Sequence, residues 1–93
     1  MYTHFSWSEI KRKTNLRDHG LDFIDAPLAF SGFTFTYEDA RFHYGEARFV
    51  TLGMVRDVVV SIVHTESPAT IRIISLRKAT KNEQAIYFRQ IQN

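Results

Sequence analysis

The residue types best suited to catalysis lie on either side of one predicted hairpin. His64 and Glu66 come near the end of an apolar strand, and Arg72 lies in the strand that follows. A three-residue loop at positions 67–69 would place His64 opposite Arg72, with Glu66 on the same face beside the loop. A histidine, a carboxylate and an arginine close together can move protons and stabilise charge on a phosphodiester. The alternative is a cross-strand ion pair at the rim of the hairpin, with no catalytic role.

RNA is the substrate class that this chemistry favours. The 2′-hydroxyl of RNA is an internal nucleophile, so cleavage of the RNA backbone needs no metal ion. The four histidines, at positions 4, 19, 43 and 64, show no metal-ligand spacing, and the chain has no cysteine. The sequence therefore predicts neither a metal site nor another cofactor.

A polar stripe on the first predicted helix is a second candidate for RNA contact. Lys11, Asn15 and His19 recur at four-residue spacing, which places them on one helical face. Such a stripe can bind RNA or simply face water, and the sequence leaves both alternatives open.

A third group of polar residues surrounds the junction between the last predicted strand and the last predicted helix. The same hairpin register pairs Ser75 with Ser61 on the face opposite the histidine, and Arg77 shares that face. Lys78 and Lys81 follow. A cation at the start of a helix is unfavourable for the helix dipole, which favours a phosphate-binding role for this cluster.

Tyr87 lies farther along the same helix, one turn beyond Glu83. Its ring can stack on an RNA base, and it can also pack in the core, as an aromatic residue on a terminal helix commonly does. We therefore include Tyr87 among the candidate RNA contacts with core packing as the alternative.

The composition predicts one small folded domain. The chain has 93 residues, of which 44% are hydrophobic and 14% aromatic, too apolar for a disordered chain and sufficient for a single core. The longest apolar stretch, residues 58–63, is far shorter than the roughly 20 residues that cross a bilayer. No basic, apolar leader begins the sequence, so we expect a cytoplasmic protein with no membrane partner.

Charge is distributed unevenly along the chain. The net charge of +2 combines +2 over residues 1–20, −4 over residues 21–46 and +4 over residues 47–93. Eight of the twelve cations are arginine, whose planar guanidinium binds phosphate through two hydrogen bonds. This pattern favours a polyanionic partner, although a plain solvated surface is compatible with so small a net charge.

Capping signals predict the helices at the start of the chain. Ser6 and Glu9 form a capping box for a helix over residues 7–18, which should end at Gly20 because glycine adopts the left-handed conformation of a helix C-terminus. A shorter second helix is predicted over residues 22–30, with an uncertain start because a proline lies within it.

Apolar patterns predict a sheet in the second half of the chain. Four strands are expected, at residues 33–38, 47–55, 58–66 and 70–77. Thr80 and Glu83 form another capping box, which predicts a final helix to residue 90. The order of elements is ααββββα, and the expected fold is α+β, with a four-stranded antiparallel meander packed against the helices.

Taken in order, these motifs resemble the BrnT-type toxins of bacterial type II toxin–antitoxin systems, which have a RelE-like fold. The N-terminal motifs are Phe5-Ser6-Trp7, Lys11, Asn15 and His19-Gly20-Leu21-Asp22-Phe23. The middle of the chain adds Glu46, Arg48 and Gly53. The C-terminal motifs are Thr65-Glu66, Ile71-Arg72-Ile73-Ile74-Ser75, Arg77, Ala79, Glu83 and Tyr87. The resemblance covers most of the chain.

The resemblance implies a ribonuclease that cuts cellular RNA, inhibits translation and growth, and is neutralised by a BrnA-like antitoxin of the ribbon-helix-helix type. The antitoxin would bind DNA, so the toxin would contact DNA only through it. Together with the hairpin register, the resemblance assigns catalytic roles: Arg72 and Arg77 bind phosphate and stabilise transition-state charge, Arg48 binds the substrate phosphate, and Glu66 or His64 transfers a proton. The residues expected to position RNA are Lys11, Asn15, His19, Ser75, Lys78, Lys81 and Tyr87.

Three positions depart from the family pattern. Ser8 stands in place of an aspartate, Ser67 in place of an arginine that often follows Thr-Glu, and Pro27 lies within the second helix. Ser8 and Ser67 support a rival function, a catalytically silent relative that binds its antitoxin in a transcriptional repressor complex. A further alternative is an RNA-binding module that blocks translation without cutting.

Overall fold

The structure, a computed structural model, consists of one five-stranded sheet with helices on both faces. It describes residues 3–41 and 45–92. In chain order the elements are β1 (His4–Ser6), α1 (Glu9–His19), a 3₁₀ helix (Phe23–Asp25), α2 (Ala26–Ser31), β2 (Phe35–Glu38), β3 (Phe49–Val55), β4 (Val58–Ser67), β5 (Thr70–Lys78) and α3 (Lys81–Ile91). The strand order is β1-β5-β4-β3-β2. None of the described helices is long and apolar enough to span a membrane.

The predicted four-stranded antiparallel meander is wrong, because the sheet has a fifth strand and is mixed. β1 runs parallel to β5, with His4 paired to Thr70 and Ser6 to Arg72. The His4 amide also donates a hydrogen bond to the Ala69 carbonyl oxygen at 2.7 Å. Three residues are too few to show a strand periodicity, so the sequence pattern gives no sign of β1. Since β1 precedes α1, the chain begins with a strand and not with the helix of the predicted order ααββββα.

Local capping determines both ends of α1. Ser8, rather than the predicted Ser6, is the N-cap, and its hydroxyl accepts a hydrogen bond from the Lys11 amide at 3.3 Å. Serine and aspartate are about equally good N-caps, so Ser8 preserves the start of the helix. Gly20 ends α1 as predicted, with a φ of +71° that glycine adopts without strain.

The predicted second helix is divided into two short pieces. Asp22 caps the 3₁₀ helix by accepting a hydrogen bond from the Ile24 amide, and α2 begins directly after that helix. Pro27 lies in the first turn of α2, where a missing backbone N–H costs no intrahelical hydrogen bond. The proline is therefore compatible with the helix.

Two apolar cores lie on opposite faces of the sheet. On one face, α1, the 3₁₀ helix and α2 pack over a core that includes Phe23, Ile62 and Leu76. On the other face, α3 contributes Tyr87 to a second core that includes Val50. We refer to these as the α1 face and the α3 face.

The hairpin of β2 and β3 lies at the edge of the sheet farthest from β1. Glu38 pairs with Phe49, the first residue of β3. The Asp39 amide then donates a hydrogen bond to the Arg48 carbonyl oxygen at 2.8 Å, so the pairing of the two chain segments extends one residue past the end of β2 and one residue before the start of β3. The loop predicted over residues 39–46 includes positions 42–44, which lie outside the described residues.

The turn of the β4–β5 hairpin has two residues, Pro68 and Ala69, instead of the predicted three. Ser67 therefore remains in β4, and the pairing shifts by one residue. A shift of one residue moves side chains to the other face of a sheet. The predicted pairing of His64 with Arg72 is wrong for this reason.

A β-bulge follows within the same hairpin. His64 pairs with Ile73, whereas Val63 pairs with Ser75, so Ile74 is an extra residue in β5. The bulge compensates for the shorter turn. From Ser75 onward, the residues of β5 consequently return to the faces that the sequence predicts. The predicted pairing of Ser75 with Ser61 is nevertheless wrong, because Ser75 pairs with Val63 and Ser61 with Arg77.

Candidate functional site

The bulge at Ile74 places three polar residues of β5 on one face of the sheet. Arg72, Ser75 and Arg77 would not share a face in a regular strand, because the first two are separated by an odd number of positions. Their partners on β4 are the alternate residues Thr65, Val63 and Ser61. Alternate residues of a strand share a face, so all three side chains of β5 lie on the α3 face.

Arg48 belongs to the same face, two strands away from Arg72. The register of β3 and β4 ends with Phe49 paired to His64, so one further step along both chains puts Arg48 level with Thr65, and Thr65 pairs with Arg72. Since neighbouring strands lie about 4.8 Å apart, the two arginine backbones are separated by about 10 Å. Thr65 is buried, Arg48 half-buried and Arg72 exposed. We call the set formed by Arg48, Arg72, Ser75 and Arg77 the arginine face.

Arg77 is held in place by Glu83 at the start of α3. Its two terminal nitrogens donate to the two carboxylate oxygens of Glu83, at 2.8 and 3.0 Å. Glu83 also accepts a hydrogen bond from the Thr80 amide at 2.9 Å, in the predicted capping box. The hydrogen bonds from Arg77 hold the pKa of Glu83 below its ordinary value. Glu83 is therefore ionised at neutral pH and orients Arg77.

A groove of about 370 Å³ lies beside the Arg77–Glu83 pair. Tyr37 of β2 lines this groove and is 40% exposed. Asp39 and Arg41 also line it and form an ion pair with hydrogen bonds of 2.9 and 2.8 Å. Burial raises the pKa of Tyr37 above its ordinary value, and the negative charge of Glu83 adds to this effect. The Tyr37 hydroxyl is therefore protonated at neutral pH.

His64 lies in the core and is only 1% exposed. Its Nε2 is 2.7 Å from the Thr51 hydroxyl, which is 2.7 Å from the hydroxyl of Thr36. The imidazole packs edge-on against Phe30 and stacks on Phe49. Burial lowers the pKa of His64 to about 4, so the ring is neutral at pH 7. In this position His64 has no access to RNA.

Glu66 shares the face of His64 and not that of Arg72. The Glu66 carboxylate lies 3.6 Å from His64 Nδ1, a buried nitrogen that has no hydrogen-bond partner among the described residues. Arg72 points to the opposite face of the sheet. The structure therefore does not bring the predicted histidine, carboxylate and arginine together.

The predicted polar stripe of α1 contains one buried residue, Asn15. Its Nδ2 donates to the carbonyl oxygens of Leu76 and Leu21 at 2.8 and 3.0 Å, and its Oδ1 accepts from the Leu76 amide at 3.1 Å. Asn15 thus satisfies backbone groups of β5 beyond the end of β1. Lys11 and His19 remain exposed and line a groove of about 230 Å³ beside Asn15.

The remaining predicted RNA contacts differ in their accessibility. Lys78 and Lys81 are exposed at the junction of β5 and α3, and strand alternation directs Lys78 to the face opposite Arg77. Tyr87 is 3% exposed, and its hydroxyl donates to the Phe33 carbonyl oxygen at 3.0 Å. The structure therefore places Tyr87 in the core, the second of its two predicted alternatives.

Tyr37 is not among the site residues predicted from the sequence. Tyr37 alternates with Phe33 and Phe35, a pattern that predicts a buried strand face. It remains accessible because β2 is an edge strand with only one neighbour. The sequence does contain a signal for this site. Tyr37 is an aromatic residue at the end of an edge strand, and the charged residues Asp39 and Arg41 follow it closely.

The chain is similar to a known protein family and to a solved structure. The family model for the ribonuclease toxin BrnT of type II toxin–antitoxin systems matches residues 7–83. The fold is similar to the crystal structure of the Brucella abortus ribonuclease toxin BrnT, with a TM-score of 0.62 and 24% sequence identity. That similarity covers 85% of this chain and 99% of the Brucella chain. A comparison with curated protein sequences gives no match.

Proposed function

The chain belongs to the BrnT family of ribonuclease toxins of type II toxin–antitoxin systems, and from this we propose that it is a metal-independent endoribonuclease that binds RNA phosphates on its arginine face. Membership of this family implies an RNA substrate and an antitoxin partner. The proposal adds the mechanism and the residues that perform it.

The bulge at Ile74 is the observation that carries the proposal. It brings Arg72 onto the same face as Ser75 and Arg77. Guanidinium groups bind phosphate oxygens through paired, charge-assisted hydrogen bonds, and several of them on one face can follow an RNA backbone. Ser75 adds a hydroxyl that can donate to a phosphate oxygen between the two arginines.

Electrostatic stabilisation is the principal catalytic effect that this face can provide. The 2′-hydroxyl attacks the adjacent phosphorus, its proton passes to solvent, and the 5′-oxygen leaves with a proton from solvent. Arg72 and Arg77 stabilise the negative charge that accumulates on the phosphate oxygens, and Arg48 holds the neighbouring phosphate. His64 and Glu66 have no role in this mechanism because both lie on the α1 face, opposite the arginine face, and His64 is also buried.

The test is cleavage of a defined RNA by the purified, antitoxin-free protein in excess EDTA. We expect wild type to yield a 2′,3′-cyclic phosphate and a 5′-hydroxyl, and to leave an all-deoxy version of the substrate intact. Arg72→Ala and Arg77→Ala should each slow cleavage by about tenfold or more, since removal of one charged hydrogen bond costs about 1.5 kcal/mol or more. Arg89→Ala, an exposed arginine of α3, is the matched control.

The outcomes separate the competing functions. Cleavage within about threefold of wild type in both variants would show that the arginine face is not the active site. No cleavage by wild type, even with ribosomes added, would reject the nuclease mechanism. RNA binding without cleavage would then support a non-cleaving RNA-binding module. Tight binding of the antitoxin, with neither RNA binding nor cleavage, would support a catalytically silent relative.

The proposal extends to regulation of the toxin. The free toxin inhibits translation by cutting RNA, and a ribbon-helix-helix antitoxin neutralises it. In the complex of the two proteins, the antitoxin makes all contacts with DNA. Co-expression with the candidate antitoxin should restore growth and give a complex that binds operator DNA. Operator binding by the toxin alone would contradict this arrangement.

A further inference from the structure

We propose that the groove beside Arg77 is a subsite for one unpaired RNA base and that Tyr37 is the platform on which this base stacks. The inference rests on the proposed function, because it assigns to the arginine face a neighbouring site that receives the base. It concerns RNA binding and specificity, not the chemical step.

Tyr37 has the exposure and support that a stacking platform requires. Tyr37 is 40% exposed as a residue, in contrast to Tyr87, which is buried. Phe35 lies on the same strand face, with its ring centroid 6.0 Å from that of Tyr37 at an angle of 41°. This contact supports the Tyr37 ring from one side, and the exposed part of the ring faces the groove. Stacking on such a surface tolerates any base, because each base has a π-face.

The position of Tyr37 relative to the arginine face suits one nucleotide. Tyr37, Val50, Val63 and Ser75 pair in succession across four strands, so Tyr37 and Ser75 belong to the same cross-strand row. The row of Arg48 and Arg72 lies on one side and the row of Arg77 on the other, each about 7 Å away along the strands. A phosphate held by these arginines therefore leaves its base within reach of Tyr37.

The rest of the groove can read the edges of a base. Its volume of about 370 Å³ is within the range of small-molecule sites, about 300–1,000 Å³. Besides Tyr37, it is lined by the Arg77–Glu83 ion pair, whose guanidinium has N–H donors and whose carboxylate has lone pairs beyond those used in their two hydrogen bonds. Flat aromatic contact combined with donors and acceptors is the combination by which proteins recognise unstacked RNA bases.

The test measures equilibrium binding of a short, single-stranded, fully 2′-O-methylated RNA that cannot be cleaved. The protein variants are Tyr37→Phe, Tyr37→Ala and Phe88→Ala, where Phe88 is an exposed aromatic residue of α3 outside the groove lining. Loss of a stacked base weakens binding by about 5- to 150-fold. We therefore expect Tyr37→Ala to raise Kd at least fivefold, and Tyr37→Phe and Phe88→Ala to remain within twofold of wild type.

An abasic scan of the probe identifies the stacked nucleotide. At one position, the abasic probe should bind wild-type protein as weakly as the intact probe binds Tyr37→Ala. The same abasic probe should bind Tyr37→Ala no more weakly than the intact probe does, because the stacking contact is already lost. Thermal unfolding confirms that each variant is folded. A Tyr37→Ala Kd within twofold of wild type would overturn the proposal. Equal losses in Tyr37→Phe and Tyr37→Ala would also overturn it, because they would indicate a role for the hydroxyl.

The binding test is independent of the cleavage test. If wild type binds the probe through Tyr37 but cuts no RNA, the nuclease mechanism fails and the base subsite stands. If wild type cuts RNA and Tyr37→Ala binds normally, the subsite fails and the nuclease mechanism stands.

Discussion

Arg77 and Glu83 are joined by two hydrogen bonds, of 2.8 and 3.0 Å, across the junction of β5 and α3. The Glu83 carboxylate also caps α3, so one side chain both begins the helix and orients the guanidinium. In the proposed mechanism, this salt bridge holds the Arg77 guanidinium in place before RNA binds. The same pair stabilises the junction itself.

Glu83→Gln should therefore slow RNA cleavage while reducing stability only modestly. The glutamine amide has one acceptor oxygen and an NH2 group in place of the second, so it cannot form the two parallel hydrogen bonds with Arg77. A misplaced guanidinium can lower the cleavage rate by about tenfold or more. The free energy of unfolding should fall by about 1–2 kcal/mol through the weakened cap and ion pair. Single-turnover kinetics and urea denaturation measure the two effects.

Asp22→Asn is the matched control for this prediction. Asp22 accepts two hydrogen bonds from Arg12, at 2.7 and 3.0 Å, and caps the 3₁₀ helix, so it combines the same two roles on the α1 face. We expect a similar loss of stability but normal cleavage. Equal cleavage losses in the two variants would mean that Glu83 acts only through stability.

Asn15→Ala should be strongly destabilising. Asn15 makes three hydrogen bonds to the backbone of Leu76 and Leu21, and its removal leaves buried polar groups without partners. The expected loss is about 2–4 kcal/mol of unfolding free energy, since each such group costs about 1–3 kcal/mol. Lys11→Ala, one turn away on the same stripe, should change stability by less than about 0.5 kcal/mol. A stability change below about 1 kcal/mol for Asn15→Ala would contradict the structural role.

Much of the helical framework could be predicted from local chemistry. Gly20 ends α1, and Thr80 with Glu83 begins α3, because capping depends on residues adjacent in the chain. β1 was not predictable in this way. Its three residues are stabilised by pairing with β5, which lies more than 60 residues away in the chain.

The candidate site was harder to predict because it depends on strand register. A two-residue turn and an extra residue at Ile74 determine which face Arg72 occupies, and neither has an unambiguous sequence signal. Arg77 lies beyond the bulge, so its predicted face was confirmed. His64 and Arg72 were separated by the two-residue turn alone.

Stability should fall as the pH is lowered from about 7 to 5. Burial lowers the pKa of folded His64 to about 4, whereas the unfolded value is about 6.5. Between these values the unfolded state binds more protons, so folding loses about 2 kcal/mol over this pH range. Urea denaturation at the two pH values measures the loss.

His64→Gln isolates the contribution of this residue. The glutamine amide can replace the hydrogen bond to Thr51, and the variant should lose most of the pH dependence between pH 7 and 5. His19→Gln, an exposed site, should retain it. If His64→Gln does not fold, NMR titration of the wild-type protein measures the pKa of the His64 ring directly. A His64 pKa near 6.5 would contradict burial of the neutral ring.

Ser67→Arg should strengthen RNA binding by extending the arginine face. Ser67 is exposed and lies two residues beyond Thr65 on β4, so its side chain is on the same face as Arg72. An added phosphate contact should make the slope of log Kd against log salt concentration steeper by about 1, and should tighten binding about threefold to tenfold at low salt.

The comparison variant is Ser31→Arg, which adds the same charge at an exposed position of α2, over the opposite face. A positive charge there should raise RNA affinity less than twofold, because it lies away from the bound phosphates. Titrations of the uncleavable probe at several salt concentrations give both slopes. Equal gains in the two variants would mean that RNA responds to net charge alone, and the arginine face would then not be the binding surface.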